Sequence, residues 1–160
     1  MPVVWVQHEN RPGGSDWDGF FGRFVAPDNA RKAAAALTAG SPMQTLWPEL
    51  EVARGDLRVA KNRYSPLIAG SSKLEILVAK AIDTVLIAGT KTNVCCECTA
   101  RDAMMLDYKV VMLSDCTAAL SDDEQRATLE NMIQQFGDVL TSGEALALLD
   151  SRAPRNKQTS

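Results

Sequence analysis

No run of apolar residues in this sequence approaches the roughly 18 that a membrane-spanning helix needs. The apolar opening, Met1 to Gln7, is short and has no basic flank, so it reads as a strand and not as a signal peptide. An excess of one charge is also lacking, because 17 Lys and Arg stand against 20 Asp and Glu, for a net charge of −3. Without clustered Lys and Arg there is no electrostatic footprint for nucleic acid, and that class of partner is excluded. Cysteine is sparse and unevenly placed: Cys95, Cys96 and Cys98 crowd together, and Cys116 is the fourth. Such spacing cannot make a distributed disulfide framework, which points to a reducing, cytoplasmic setting. Nor does it make a zinc site, since three cysteines within one helical turn do not splay into a tetrahedron and a second pair is absent. No metal and no cofactor is expected.

The chain alternates β-branched runs with helix-like segments, which is the signature of an α/β domain with a mostly parallel sheet between helices. Its 160 residues suit one compact domain over residues 1–150, followed by a polar tail over 151–160. Val3–Gln7 is a first strand, with a continuous apolar run from Val3 to Val6 as in strands buried on both faces. A Gly- and Asp-rich loop with aromatics runs from Glu9 to Phe24, then an Ala-rich helix from Asp28 to Ala39 with Gly40 as its stop. Leu57–Lys61 is the second strand, and a helix from Ser72 to Ile82 opens with the capping box Ser72/Glu75. Thr84–Gly89 is the third strand, a helix follows from about Val94 to Leu106, and Val110–Ser114 is the fourth strand. Ser121 and Glu124 cap a helix that reaches Phe136 and stops at Gly137, Val139–Leu140 is a short fifth strand, and Thr141 and Glu144 cap a last helix to Leu149.

The stretch from Thr84 to Asp102 carries the chemistry. An apolar strand ends at Gly89, a polar turn follows, and Cys95 falls on the first turn of the next helix. Ligands of open α/β sheets bind beyond the carboxyl ends of the strands. A helix N-terminus offers unpaired N–H groups and a partial positive charge, which favour a thiolate and can hold the oxyanion of a tetrahedral intermediate. Cys95 is therefore placed to attack a carbonyl or amide carbon. Lys61, which closes Leu57–Lys61, puts an ammonium at the same carboxyl edge, where a cation stabilises a thiolate. A lysine at a strand end is otherwise an ordinary solvated residue. Cys96, Cys98 and Cys116 read as buried packing cysteines. Trp17, Phe20 and Phe21 suit a pocket wall and a small core equally well, and Arg101 and Asp102 suit structural ion pairs on the helix.

Gly89-Thr-Lys-Thr-Asn-Val-Cys95-Cys-Glu-Cys-Thr-Ala-Arg-Asp102-Ala resembles the Gly-x-x-Thr-Asn-x-Cys…Thr-Ala-Arg-Asp-Ala signature of the isochorismatase-like cysteine hydrolases. Lys61-Asn-Arg-Tyr-Ser65 resembles the family's Lys-x-Arg-Tyr-Ser element, and Val110–Asp115 and Phe136-Gly-Asp138-Val are similar to its later strands. The resemblance implies a three-layer, Rossmann-like α/β/α fold with Cys95 as nucleophile and Lys61 as the cationic partner. It also implies an oxyanion hole from the N–H groups of Lys91 and Cys95, and a cis peptide between Thr90 and Lys91. His8, Trp17, Tyr64 and Asn93 are candidates for the substrate pocket. The implied substrate is a small amide or ureide, and the family's habit of forming dimers or larger assemblies implies a homo-oligomer. Some relatives bind a metal through two histidines and an aspartate near His8, a set that one histidine cannot reproduce.

The family's third catalytic residue, an aspartate in an Asp-x-Gln context on a first strand, has no counterpart near this N-terminus. The resemblance thus implies a chain that begins at the family's second strand and whose hydrolysis is impaired, unless another carboxylate among Glu9, Asp16 and Asp18 serves. Two other classes remain open: a degenerate relative that binds without turnover, and a thiol–disulfide redox protein using Cys95 and Cys98.

Overall fold

The structure of the protein, a computed structural model, describes residues 1–10, 17–68 and 81–152. The helix expected from Ser72, with its Ser72/Glu75 box, and the Asp16 carboxylate lie outside the described residues. The chain divides into two compact units, residues 1–81 and 82–160.

In the first unit, β1 (Val4–His8) pairs in parallel with β2 (Leu57–Lys61), Val4 opposite Leu57 and His8 opposite Lys61. This register brings the last residue of each strand to the same edge. A short helix, α1 (Asp18–Phe21), interrupts the expected loop, and α2 (Pro27–Ala36) follows. Pro27 opens α2 because its fixed φ suits a first helical position and its missing N–H costs nothing there. The helix ends three residues before the expected Ala39. The chain leaves it to bridge Thr38 with Asn10, whose N–H donates to the Leu37 carbonyl (2.8 Å) and whose carbonyl accepts from Ala39 N–H (3.2 Å). Gly40, at φ +81°, then takes the left-handed turn. At the other end of the unit, the Asp56 carboxylate accepts from Trp5 Nε1 (2.8 Å) and from Ala53 N–H (2.9 Å), tying the entry of β2 to β1.

The second unit is a repeating strand–helix unit. β3 (Thr84–Thr90), a five-residue turn (Thr92–Cys96), α3 (Glu97–Met105), β4 (Lys109–Ala118), α4 (Asp122–Gln135), β5 (Asp138–Leu140) and α5 (Ser142–Arg152) follow one another. The strands lie in the order β3-β4-β5, all parallel. Its core is formed by Val110 and Met112 of β4 with Ala100 and Ala103 of α3, Met132 of α4 and Ala145 of α5. Ala100, Ala103 and Met112 are fully buried, and the two small side chains let α3 lie close against the sheet.

Both second-unit caps form as the sequence implies. Ser121 Oγ accepts from Glu124 N–H (3.3 Å), and Thr141 and Glu144 make a reciprocal pair, Glu144 N–H to Thr141 Oγ1 (3.2 Å) and Thr141 N–H to Glu144 Oε2 (2.8 Å). β4 runs four residues beyond the expected Ser114. After a register shift between Ile87 and Gly89, Thr117 and Ala118 rejoin β3 opposite Gly89 and Thr90. That extension also corrects the reading of Cys116 as buried. The residue is exposed, because Thr117 beside it takes the inward position and adjacent strand residues face opposite ways.

Candidate active site

Cys95 sits one step earlier than the sequence implied, in the turn Thr92–Cys96 and not on the first turn of an α-helix. The Lys91 carbonyl accepts from both Val94 N–H and Cys96 N–H (3.2 Å each), the second of these bonds spanning five residues. The turn is thus π-helical, a rare wide turn that occurs often at functional sites. It passes directly into α3 at Glu97. The peptide bond between Thr90 and Lys91, just upstream, is cis. Gly89 takes φ +122°, a conformation that side-chain-bearing residues rarely adopt, at the register shift of β3 against β4. Cys95 is half-buried, and its carbonyl accepts from Thr99 Oγ1 (2.6 Å).

The other cysteines of the cluster differ. Cys96 is buried in the core, and Cys98 is half-buried. Burial pushes the Cys98 thiol up, and the negative charges of Asp102 and Glu97 act in the same direction, so it is a neutral thiol near pH 7. Arg101 and Glu97 form the structural ion pair expected on this helix (2.6 Å), with the guanidinium also 3.8 Å from the centre of the Phe136 ring. Asn93 Oδ1, two residues before Cys95, is buried and has no hydrogen-bond partner among the described residues.

In the first unit, Lys61 is not a solvated strand-end lysine. It is 6% exposed, and its Nζ donates to the carbonyls of Arg63 (3.0 Å) and Tyr64 (2.7 Å). Lysines are almost never buried unless paired, so this placement marks the residue out. Trp17 is the hub of an aromatic group: Tyr64 meets its ring edge-on (4.7 Å), Phe20 lies 5.1 Å away, and His8 stacks at 6.4 Å. The Arg63 guanidinium stands 5.2 Å from the Trp17 centroid. His8, Trp17 and Tyr64 are thereby gathered with Lys61 at the carboxyl end of the β1–β2 pair, and Asn93 is gathered with Cys95 in the second unit. His8 Nε2 also lies 3.3 Å from Asn10 Oδ1. Of the two carboxylates named in this region that the structure describes, Glu9 is half-buried and its N–H donates to the Lys61 carbonyl (2.8 Å), whereas Asp18 is exposed.

Two residues that sequence reasoning passed over, Thr92 and Gln125, hold the cysteine turn. Thr92, its first residue, is completely buried, and its hydroxyl donates to Gln125 Oε1 of α4 (2.6 Å). A signal for them exists in the sequence. The inward face of α4 runs Gln125, Thr128, Leu129, Met132, so a helix stripe that should be apolar carries two polar residues. A depression of about 280 Å³ opens between the end of β4 and the start of α4, walled by Ser114, Thr117, Ser121, Asp122 and Gln125 among others, and Cys95 does not line it. Among the described residues no group of three or more His, Cys, Asp or Glu side chains could hold a metal ion, and no helix is long and apolar enough to cross a membrane.

The sequence profile of the isochorismatase domain matches residues 1–144. Ureidoacrylate amidohydrolase RutB from Rhizobium rhizogenes is 38% identical over 119 residues, which are 74% of this chain and 48% of that protein. The chain spans about half the length of the curated relatives it matches. Among solved structures, an isochorismatase-like hydrolase from Alkaliphilus metalliredigens superimposes with a TM-score of 0.75 at 29% identity, over 92% of this chain and 73% of that one. A cysteine hydrolase from Pseudomonas syringae pv. phaseolicola gives the same TM-score of 0.75 and 29% identity, over 94% of this chain and 72% of the other. With its parallel α/β fold, its cysteine turn after β3 and a family profile over nine-tenths of its length, this chain belongs to the isochorismatase domain family.

Proposed function

We propose that this protein hydrolyses the C–N bond of a small amide or ureide by acyl transfer through Cys95. The observation that carries the proposal is the position of Cys95 in a wide turn between the end of a parallel strand and the start of α3. There its Sγ attacks the carbonyl carbon, the S–C bond forms, and the oxyanion is held by the N–H groups of Lys91 and Cys95. The tetrahedral intermediate collapses by breaking the C–N bond, and the nitrogen leaves as ammonia or an amine after taking a proton. Water then cleaves the thioester, releasing the acid and restoring the thiol. Lys61 serves as the cationic partner, held in place by its two carbonyl acceptors. The thiol proton passes to a carboxylate base, for which the sequence offers Glu9, Asp16 and Asp18.

Two further observations support an amide or ureide. Among the described residues Asn93 Oδ1, two residues from Cys95, has no hydrogen-bond donor, and an amide N–H is one group that would supply it. A relative 38% identical is named ureidoacrylate amidohydrolase, and another, 26% identical, maleamate amidohydrolase. A cytoplasmic location belongs to the same proposal and is supported by four free cysteines. Self-association belongs to it too, supported by exposed Ile133, Leu146 and Leu148.

The test couples turnover to covalent trapping. The chain is offered a panel of small amides and ureides, with ammonia measured, and separately an activated ester, with acylated peptides located by mass spectrometry. Acylation at Cys95, not at Cys98 or Cys116, with both signals lost in Cys95→Ala and retained in Cys98→Ser, is the expected result. Acylation confined to other cysteines, or ammonia release that survives Cys95→Ala, overturns the proposal. Loss of function on replacing Cys98 as well would favour a redox pair instead.

A further inference from the structure

The turn that carries Cys95 is not held by α3 alone. Its first residue, Thr92, has no exposed surface, and its hydroxyl donates to Gln125 Oε1 over 2.6 Å. The other end of the same carboxamide is committed elsewhere. Gln125 Nε2 faces the Thr117 hydroxyl (3.2 Å), the Thr117 carbonyl (3.3 Å) and the Ser114 carbonyl (3.4 Å) of β4. Carbonyl oxygens can only accept, so the NH₂ group must face β4 and the oxygen must face Thr92. The carboxamide is therefore oriented by the strand and presents one acceptor, of fixed direction, to the cysteine turn.

One turn further along the same face of α4, Thr128 Oγ1 donates to Glu97 Oε2 (3.4 Å), at the residue where the turn passes into α3. Thus α4 holds the turn at both ends, at Thr92 through Gln125 and at Glu97 through Thr128. Of the two holds, the Gln125 bond is the shorter, and it alone reaches a fully buried partner at the start of the turn.

We propose that Gln125 is a positioning residue for Cys95: its carboxamide, oriented by Ser114 and Thr117, fixes the Thr92 hydroxyl and so sets where the Cys95 thiol and N–H stand. The proposal rests on the reading of Cys95 as nucleophile for its consequence in turnover, but the positioning itself is measurable without turnover. Gln125→Met keeps the length of the side chain and removes every polar contact. Gln125→Glu replaces the NH₂ group with an oxygen facing two carbonyls. Thr92→Val removes the donor in an isosteric frame, and Thr92→Ser retains it.

The experiment is the rate of Cys95 alkylation by iodoacetamide across pH 6 to 9, resolved by peptide mass spectrometry, alongside thermal unfolding and, where amide turnover exists, kcat and KM. A displacement of the order of 1 Å can cost a reacting pair up to about a hundredfold, so a shift of about tenfold in the Cys95 rate is expected in Gln125→Met and in Thr92→Val. Thr92→Ser should stay within about threefold, and the double variant Gln125→Met/Thr92→Val should be no worse for the Cys95 rate than Gln125→Met alone, since both substitutions break the Thr92–Gln125 bond. Turnover, if present, should fall in kcat with little change in KM. A merely structural role would lower the melting temperature and leave the alkylation profile of the folded protein unchanged, and that outcome overturns the proposal. So does additivity of the two substitutions. If the alkylation rates shift as stated while the unsubstituted chain releases no ammonia and forms no thioester, the positioning stands and the amidohydrolase reading falls.

Discussion

Replacing Gly137 with alanine should destabilise the second unit through a clash with backbone, although the residue is nominally a helix stop. A Cβ built there would lie 2.5 Å from the Val110 carbonyl oxygen, 2.8 Å from Val110 Cβ and 3.1 Å from the Val110 carbonyl carbon. Two of these three atoms are main chain of the central strand, held by its ladder to β3 and β5, so they cannot swing aside as a side chain could. Overpacking usually costs about 1–3 kcal/mol, and a rigid backbone partner argues for the upper part, about 2–3 kcal/mol. The smaller entropy of the unfolded chain returns about 0.4–1 kcal/mol, leaving a net loss of about 1–2.5 kcal/mol. At roughly 2–4 °C per kcal/mol for a chain of this size, the melting temperature should fall by roughly 2–10 °C. Urea unfolding followed by circular dichroism should show a lower midpoint with the slope unchanged. Gly143→Ala is the control. Gly143 lies in the first turn of α5 with nothing within 4 Å of the added carbon, so its substitution should be neutral or stabilise by up to about 0.5–1 kcal/mol. If Gly137→Ala matches the unsubstituted protein in midpoint, or moves in the same direction as Gly143→Ala, the close-approach argument is wrong.

Ser121→Ala should cost about 1 kcal/mol by removing the acceptor for Glu124 N–H at the start of α4, and Ser121→Thr should recover most of it in the same urea assay. Asp115 is held below the usual carboxylate range first by the Ser142 hydroxyl and then by the Ser142 N–H, which it accepts at the start of α5. A lowered folded pKa means that this contribution is fully present above the ordinary value of about 3.9 and disappears as pH falls through the folded one. Asp115→Asn should therefore flatten the acid limb of stability below about pH 4 in an acid titration, and an unchanged acid limb would refute the assignment.

The signals legible in the sequence are those in which each residue acts near its own position. The parallel α/β class, the capping serine and threonine of α4 and α5, and the strands at Leu57 and Thr84 all follow from periodicity and from side chains that reach only three or four residues along the chain. The motif from Gly89 to Asp102 named the family because its residues are contiguous, and so survive in one dimension. What went unread depended on partners distant in sequence. Cys116 reads from the sequence as a packing residue, but the return of β4 to β3 after a register shift puts it outside.

Gly137 shows the same division in one residue. Its place after a helix was readable, yet the structure gives it no left-handed φ, and what calls for glycine is the Val110 backbone, 27 residues earlier. Lys61 could not be known from sequence to be buried with both Arg63 and Tyr64 carbonyls on its Nζ, because that depends on how the chain folds back after β2. Gln125 is the furthest case, a polar residue on an inward helix face whose purpose is visible only once α4 lies against the turn 33 residues before it. The sequence by itself determined the family, the five strands, the helices that follow Ala26, Cys96, Ser121 and Thr141, and the identity of the candidate nucleophile, because local propensity and contiguous motif carry that information. Only the tertiary structure decided which groups hold that nucleophile's turn, because hydrogen bonds between distant segments leave no spacing in the chain to be read.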